Sequence, residues 1–444
     1  MRKNYIVLIW AVLLPYWANN ALAHSDSGVE TSYDSPSCHI ASSWCVGRHK
    51  NSPVKVSSKR LSSRKKKDFV PDELLLLYDS AKPNHYADQL IQRYHLKEKR
   101  SDELASIRTR MVTVGTNGQD ASSLLRCINK QEKTIKANLS SLFYISAVSP
   151  RPSNTNAGGY PLALTGVSAI HRFTRGAGVK ICLVDTPVDL LHTSLDTSKV
   201  KRFELLPQGN FNNQRHGTQM AGVLISQNPL IGIAPDANLL AVSAFGNDPD
   251  NRSRRRSTAG TIAKAIDLCI RNKVDIINMS FAGGKDDLVN RMVKKAADVG
   301  IVVVASAGNG GLGADPVFPA ALDEVIAVTA VDWRESVFPS ANRGNYIDLA
   351  APGVEILTTS PRQSFATVTG TSVATAHVTG AIALIMSLDR QGFDTGILER
   401  TAADLGKPGR DPEYGFGLIN IERALNALGK AKVDLELLSV KVED

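Results

Sequence analysis

At 444 residues the chain is long enough for one large globular domain and a smaller one, and 43% hydrophobic with 21% charged residues excludes global disorder. The formal net charge of +9 invites a nucleic-acid reading, but nine positive charges lie between Arg48 and Lys67, where no Asp or Glu stands, and the remainder sums to zero. The basic excess belongs to one stretch, which argues against a nucleic-acid enzyme.

The chain opens on MRKNYIVLIWAVLLPYWANNALAH: Arg2 and Lys3, an apolar run from Tyr5 to Trp17, then a small-residue site ending at Ala23. That order predicts a signal peptide over residues 1–23, cleaved after Ala23. The run is broken by Pro15 and too short to span a bilayer, and the expected location is extracellular or periplasmic, with no membrane span. Of the five cysteines, Cys38 and Cys45 are close enough to close a small loop, while Cys182 and Cys269 sit inside apolar runs and read as separate buried thiols. None has metal-ligand spacing with a histidine.

Residues 24–67 are rich in Ser, Lys and Arg without periodicity and predict a mobile leader. From Phe69 the pattern changes. DELLLLYD predicts a strand, HYADQLIQRYHL a helix, IRTRMVTVG a strand, SSLLRCINKQEK a helix and ANLSSLFYIS a last strand; with a fourth strand that the pattern does not place, they predict a small α+β module of two helices on a four-strand antiparallel sheet. Pro150, Pro152, Gly158 and Gly159 mark a linker. Beyond Tyr160, apolar strands such as VKICLVD, VDIINMS and IVVVASA alternate with amphipathic helices, which predicts an α/β domain on a parallel, doubly wound sheet. NDPDNRSRRRS (247–257) reads most simply as a solvated surface loop, or as a basic rim that steers acidic substrates or an envelope surface.

Three residues stand out on this domain. Asp185 ends the first strand, His216 precedes a helix in RHGTQMAGVL, and Ser372 lies among small residues in TGTSVATAHVTG at the start of a long helix. Alone, each has an ordinary structural reading as a turn, cap or packed core residue. Together they supply a hydroxyl nucleophile, an imidazole base and a carboxylate that orients it. Asn309 in ASAGNGG adds an amide that can face a developing oxyanion beside the Ser372 backbone N–H.

These blocks resemble those of the subtilase family: VDTPVDLLH its aspartate block, RHGTQMAGVL its histidine block, INMSFAGG its substrate-binding strand, ASAGNGG its oxyanion block and TGTSVATAHVTG its serine block. The resemblance implies a subtilisin-like fold and a serine endopeptidase with catalytic Asp185, His216 and Ser372. It further implies oxyanion stabilisation by Asn309 and a substrate strand of Ser280, Phe281, Ala282 and Gly283. It also implies an inhibitory, self-cleaved propeptide over 68–148, a linker with the processing region at 149–158, a catalytic domain over 159–430 and a tail over 431–444. The expected partners are polypeptide substrates and the chain's own propeptide, with no nucleic acid, and the expected state is a monomer.

No cofactor is implied for the chemistry. The family's structural calcium loop falls before IGIAP, where the segment from Ser226 to Pro229 is shorter. Pro187, Arg215, Gln219 and Ala376 depart from the family's usual residues without removing a catalytic group, and they leave a rival reading of a catalytically weak or inactive binding protein on the same scaffold. The pocket-forming segments SFAGG and ASAGNGG contain no acid, which predicts preference for an uncharged, mainly apolar residue before the scissile bond.

Overall fold

The computed structural model describes residues 68–145, 159–206, 213–391 and 393–429. The expected signal peptide, leader, processing region and tail, and the Cys38–Cys45 pair, lie outside the described residues. The first module comprises β1 (Phe69–Asp79), α1 (Asp88–Arg93), β2 (Lys97–Leu104), β3 (Thr109–Gly115), α2 (Ala121–Gln131) and β4 (Lys136–Ile145). Its strands run antiparallel in the order β2-β3-β1-β4.

The Leu74–Leu77 run of β1 serves both faces of this sheet. Leu74 and Leu76 pack with Leu90, Leu124 and Ile128 from the helices, whereas Leu75 and Leu77 join a second cluster with Ile262 and Ile266 of the larger domain. A strand covered on both sides carries an unbroken apolar run rather than an alternating one. The helix predicted over HYADQLIQRYHL is shorter: a 3-10 turn, Asn84–Ala87, leads into six residues of α1, and His95 turns the chain out at a φ of 52°.

The larger domain begins with α3 (Tyr160–Leu164), α4 (Val167–Ile170), β5 (Lys180–Asp185), β6 (Val200–Glu204), α5 (Arg215–Ile225) and β7 (Asn238–Ser243). It continues through β8 (Gly246–Asp248), β9 (Asn251–Thr258), α6 (Ala259–Arg271), β10 (Ile276–Met279), β11 (Ala282–Gly283), α7 (Asp287–Asp298) and β12 (Val302–Ser306). Then follow β13 (Val325–Val331), β14 (Leu349–Pro352), the hairpin β15 (Ile356–Ser360) and β16 (Ser364–Val368), α8 (Thr371–Leu388), α9 (Gly396–Thr401) and α10 (Ile421–Ala427).

Seven strands form a parallel sheet in the order β14-β13-β12-β10-β5-β7-β6. One cluster packs α5 and α8 on one face, and the other packs α6 and α7 on the opposite face. The fold is thus the expected doubly wound α/β sheet preceded by a small α+β module. By length and apolarity α8 meets the requirement for a membrane span, yet 89% of it is buried inside the protein, as a central core helix would be.

Two expectations are overturned. Cys182 on β5 and Cys269 on α6 are joined by a disulfide, their Cα atoms 6.0 Å apart, because α6 packs across the face of the sheet that Cys182 points to. The apolar context that suggested two separate thiols reports burial but says nothing of which element crosses which. Nor is the 247–257 segment simply a solvated loop. It forms most of β8 and of β9, and β9 pairs antiparallel with β4 of the first module, so that one sheet continues across both parts as β2-β3-β1-β4-β9-β8. Backbone pairing requires nothing of the arginine side chains, which is why a basic run can form an inner strand.

Candidate active site

The carboxyl ends of β5, β10 and β12 converge on the amino end of α8, the crevice where open α/β sheets place reactive groups. Asp185 closes β5 and is fully buried. Both of its oxygens lie 2.8 Å from His216 Nδ1, and Oδ1 accepts from the Thr186 N–H at 2.6 Å. His216 is the second residue of α5, and the turn before it is fixed by Thr186 Oγ1, which accepts from the Gly217 N–H at 2.8 Å. Glycine is required at 217, since a Cβ there would lie 2.2 Å from the Thr186 carbonyl oxygen.

Ser372 is the second residue of α8 and shares a small cavity with His216. Its Oγ donates to the Ser280 carbonyl at 3.1 Å, while Ser280 Oγ donates to the Ser372 carbonyl at 3.0 Å. Among the described residues the buried Nε2 of His216 has no hydrogen-bond partner. The Asp–His pair is therefore assembled, and the serine hydroxyl rests on the neighbouring strand rather than on the imidazole.

Asn309 follows β12 by three residues. Its Oδ1 accepts from the backbone N–H of Thr371 at 3.1 Å and from Thr371 Oγ1 at 3.0 Å, which fixes the orientation of the amide and leaves Nδ2 on the Gly370 side. The amide nitrogen so placed lies close to the amino end of α8, where backbone N–H groups and the helix dipole favour negative charge.

Several supporting residues escape a reading of motifs alone. Asn278 Nδ2 donates to Ser280 Oγ at 2.8 Å, and Thr379 Oγ1 donates to Asn278 Oδ1 at 2.9 Å, so that a buried polar chain from α8 backs the strand beside Ser372. The only sequence signal was an asparagine inside the apolar run DIINMS. His377, five residues after Ser372, is another buried histidine, but its Nδ1 is bonded to the Val373 carbonyl within the helix and burial holds it down to about 4.

Of the expected substrate strand, Ser280 and Phe281 lead into β11, which consists of Ala282 and Gly283. These pair antiparallel with Tyr144 and Phe143 of β4, while β9 pairs with the other edge of β4. The end of β4 thus lies between two strands of the larger domain beside Ser372. Phe143 is fully buried, edge-on to Phe281 with ring centroids 6.0 Å apart. Gly283 has no room for a side chain, because a Cβ would stand 2.5 Å from Phe143 Cδ1. The module is also held by Ser106, whose N–H donates to Asp267 Oδ1 at 2.7 Å, and by Lys264, whose Nζ lies 2.6 Å from Asp102 Oδ1.

The segment from Ser226 to Pro229 does not fit the structural calcium implied by the resemblance. Calcium takes six to eight oxygen ligands, usually with carboxylates among them. Here the Asn228 carbonyl accepts from Ser194 Oγ at 2.8 Å, the Ser194 carbonyl accepts from the Gln227 N–H at 2.8 Å, and Gln227 Oε1 accepts from Arg175 Nη2 at 3.0 Å. A guanidinium occupies the side-chain oxygen, and residues 226–232 include no carboxylate.

A profile of the Subtilase family matches residues 176–417, which span Asp185, His216, Asn309 and Ser372. The chain belongs to the subtilase family. This subtilase is 35% identical over 246 residues to an intracellular serine protease of Paenibacillus polymyxa, covering 52% of this chain and 73% of that protein. It is 33% identical over 257 residues to subtilisin DY of Bacillus licheniformis, covering 56% of this chain and 92% of that one. Among solved structures, fervidolysin from Fervidobacterium pennivorans, a keratinolytic enzyme related to subtilisin, superposes with a TM-score of 0.70 at 23% identity. That match covers 82% of this chain and 62% of fervidolysin, and it establishes likeness of fold. By family the chain is a serine endopeptidase.

Proposed function

We propose that this subtilase is exported as a proenzyme and hydrolyses peptide bonds with Ser372 as nucleophile. His216 takes the hydroxyl proton as base and returns it to the leaving amine as acid, Asp185 holds its tautomer, and Asn309 Nδ2 with the Ser372 N–H stabilises the oxyanion. Deacylation repeats these roles with water. The observation that carries this reading is the buried His216, whose Nδ1 lies 2.8 Å from both oxygens of Asp185, whose Nε2 has no hydrogen-bond partner among the described residues, and which lines one small cavity with Ser372. The reaction requires the hydroxyl to exchange the Ser280 carbonyl for the imidazole, and catalytic contacts commonly tighten once substrate is bound.

The strand position of β4 supports an inhibitory role for the first module. An extended chain hydrogen-bonded between β9 and β11 occupies the place a substrate would take by adding a strand. Export is supported by the signal-like opening of the chain and by the disulfide, a bond that persists in oxidising compartments. A fluorophosphonate probe tests the chemistry directly: it is expected to label the wild type at Ser372 and to spare Ser372→Ala, which should also remain an uncut precursor. Labelling that survives Ser372→Ala contradicts the assignment. Normal processing of that purified variant contradicts self-cleavage.

A further inference from the structure

The arginine-rich β9 has no role in the chemistry described above, yet it borders the cleft. If substrates lie where β4 lies, as proposed above, the register counts their residues back from the bond to be cut. Tyr144 stands opposite Ala282, so the position beside Ser280, whose carbonyl holds Ser372 Oγ, is two residues further along the substrate. The place of Tyr144 is thus third from the scissile bond, and the place of Ile145 second.

On the β9 side Tyr144 is directly opposite Arg256, and alternation puts Arg254 on the same face as Arg256. The two arginines differ in their bonding. Arg256 Nη1 is 3.3 Å from Asp248 Oδ1 and 3.0 Å from Asp250 Oδ2, so its charge is met within the hairpin. Arg254 makes no ion pair among the described residues, and its guanidinium carbon lies 5.8 Å from the centre of the Tyr144 ring. Arg255, on the opposite face across from Ile145, lies within electrostatic reach of Arg215.

We propose that Arg254 is a specificity-determining residue that reads the third substrate residue before the scissile bond, favouring a carboxylate or an aromatic ring and disfavouring lysine and arginine. A Glu or Asp there stands diagonal to an arginine with no ion pair among the described residues, and an opposite-charge cross-strand pair is stabilising where a like-charge pair is not. An aromatic side chain takes the place Tyr144 holds, with the cation on its ring. The substrate class is therefore polypeptides with an acidic or aromatic residue two positions before the one that is cleaved after.

The test uses four peptides that differ only at this third position, Glu, Tyr, Ala or Lys, hydrolysed by the mature wild type, Arg254→Gln and Arg254→Glu. In the wild type at low salt the ratio of kcat/KM for Glu over Lys is expected to be about five- to tenfold, with Tyr above Ala by about two- to threefold. The Glu over Lys ratio should approach one in Arg254→Gln and invert in Arg254→Glu, and in the wild type it should shrink at 0.5 M salt. Because the ratios are taken within each enzyme, a general loss of activity does not imitate this result, and a gain on the Lys peptide requires a folded variant. Equal ratios in wild type and both variants overturn the assignment of Arg254 and leave the protease reading intact. Failure of the wild type to cut any of the four overturns the cleft reading, and this inference with it.

Discussion

Ser372 and Ser280 hold each other from both ends, each hydroxyl donating to the other's carbonyl at 3.1 and 3.0 Å. Ser372, the proposed nucleophile, is thereby registered against the strand proposed to carry substrate. Asn278 and Thr379 lock the second of these bonds from behind, so small errors in the helix position are resisted by a polar chain and not by packing alone.

Asn309 is expected to act on the transition state. Asn309→Ala should lower kcat by about 100- to 1000-fold with little change in KM, since one oxyanion donor is lost. Asn309→Asp keeps the oxygen that receives Thr371 and removes only the amide donor, so it should fall as far. A loss of less than about tenfold in both variants, measured by steady-state peptide hydrolysis, contradicts the role.

Residues 69–148, added as a separate module to the mature enzyme, should inhibit peptide hydrolysis competitively, because β4 holds the two strands proposed to receive substrate. Unchanged rates at large molar excess of a module that is folded by circular dichroism argue against inhibition.

Before the scissile bond, Leu, Met or Phe should exceed Arg or Lys in kcat/KM. The segments Ser280–Gly284 and Ala305–Gly311 offer no carboxylate to a buried cation, and Ala282 narrows the strand where glycine would leave room. A peptide library varied at that position checks it, and a higher value for Arg than for Leu refutes it.

The loop at Ser226–Pro229 should hold without calcium. Its carbonyls and the Gln227 side chain are already engaged by Ser194 and Arg175. The melting temperature of Ser372→Ala is expected to be the same with excess calcium and with EDTA. A fall of several degrees on chelation would show that a bound ion stabilises the fold elsewhere or here.

His377 should make the fold sensitive to acid. Burial lowers it from 6.5 to about 4, so between those values the unfolded chain binds a proton that the folded chain does not. The contribution is complete above about pH 6.5 and is lost as the pH falls towards 4, by up to about 3 kcal/mol. Asp348 acts oppositely: burial raises it to about 6, so the folded state gains from protonation between about 6 and 3.8. Urea unfolding of Ser372→Ala at pH 7, 5.5 and 4 should therefore show a smaller acid loss when His377→Gln is added. Equal losses with and without that substitution assign the effect to other groups.

Much of this molecule is legible in its sequence because apolar period and local chemistry coincide there. The alternation of Val-rich strands with helices marks the parallel sheet, and small residues crowd around Asp185, His216 and Ser372 because backbone and reactive groups approach closely. Other features depend on distance through space. The edge strand β2, KEKRSDEL, is charged along nearly all its length, since an edge strand needs pairing on one side only and little burial. The Cys182–Cys269 bond depends on α6 crossing β5, and β9 is a strand because β4 lies beside it. Asn278 and Thr379 are 101 residues apart and meet only in the folded core.

The disulfide also bears on survival among proteases. It joins residues 87 apart, and the span it closes contains Asp185, His216 and all of β9. A single cut by a neighbouring copy anywhere between Cys182 and Cys269 would leave two polypeptides still tied at the floor of the sheet, with the aspartate and the histidine on tethered pieces. Such a nicked molecule would run as one band without reductant and as fragments with it. A concentrated population of these enzymes could thus gather backbone breaks in that span without scattering its parts.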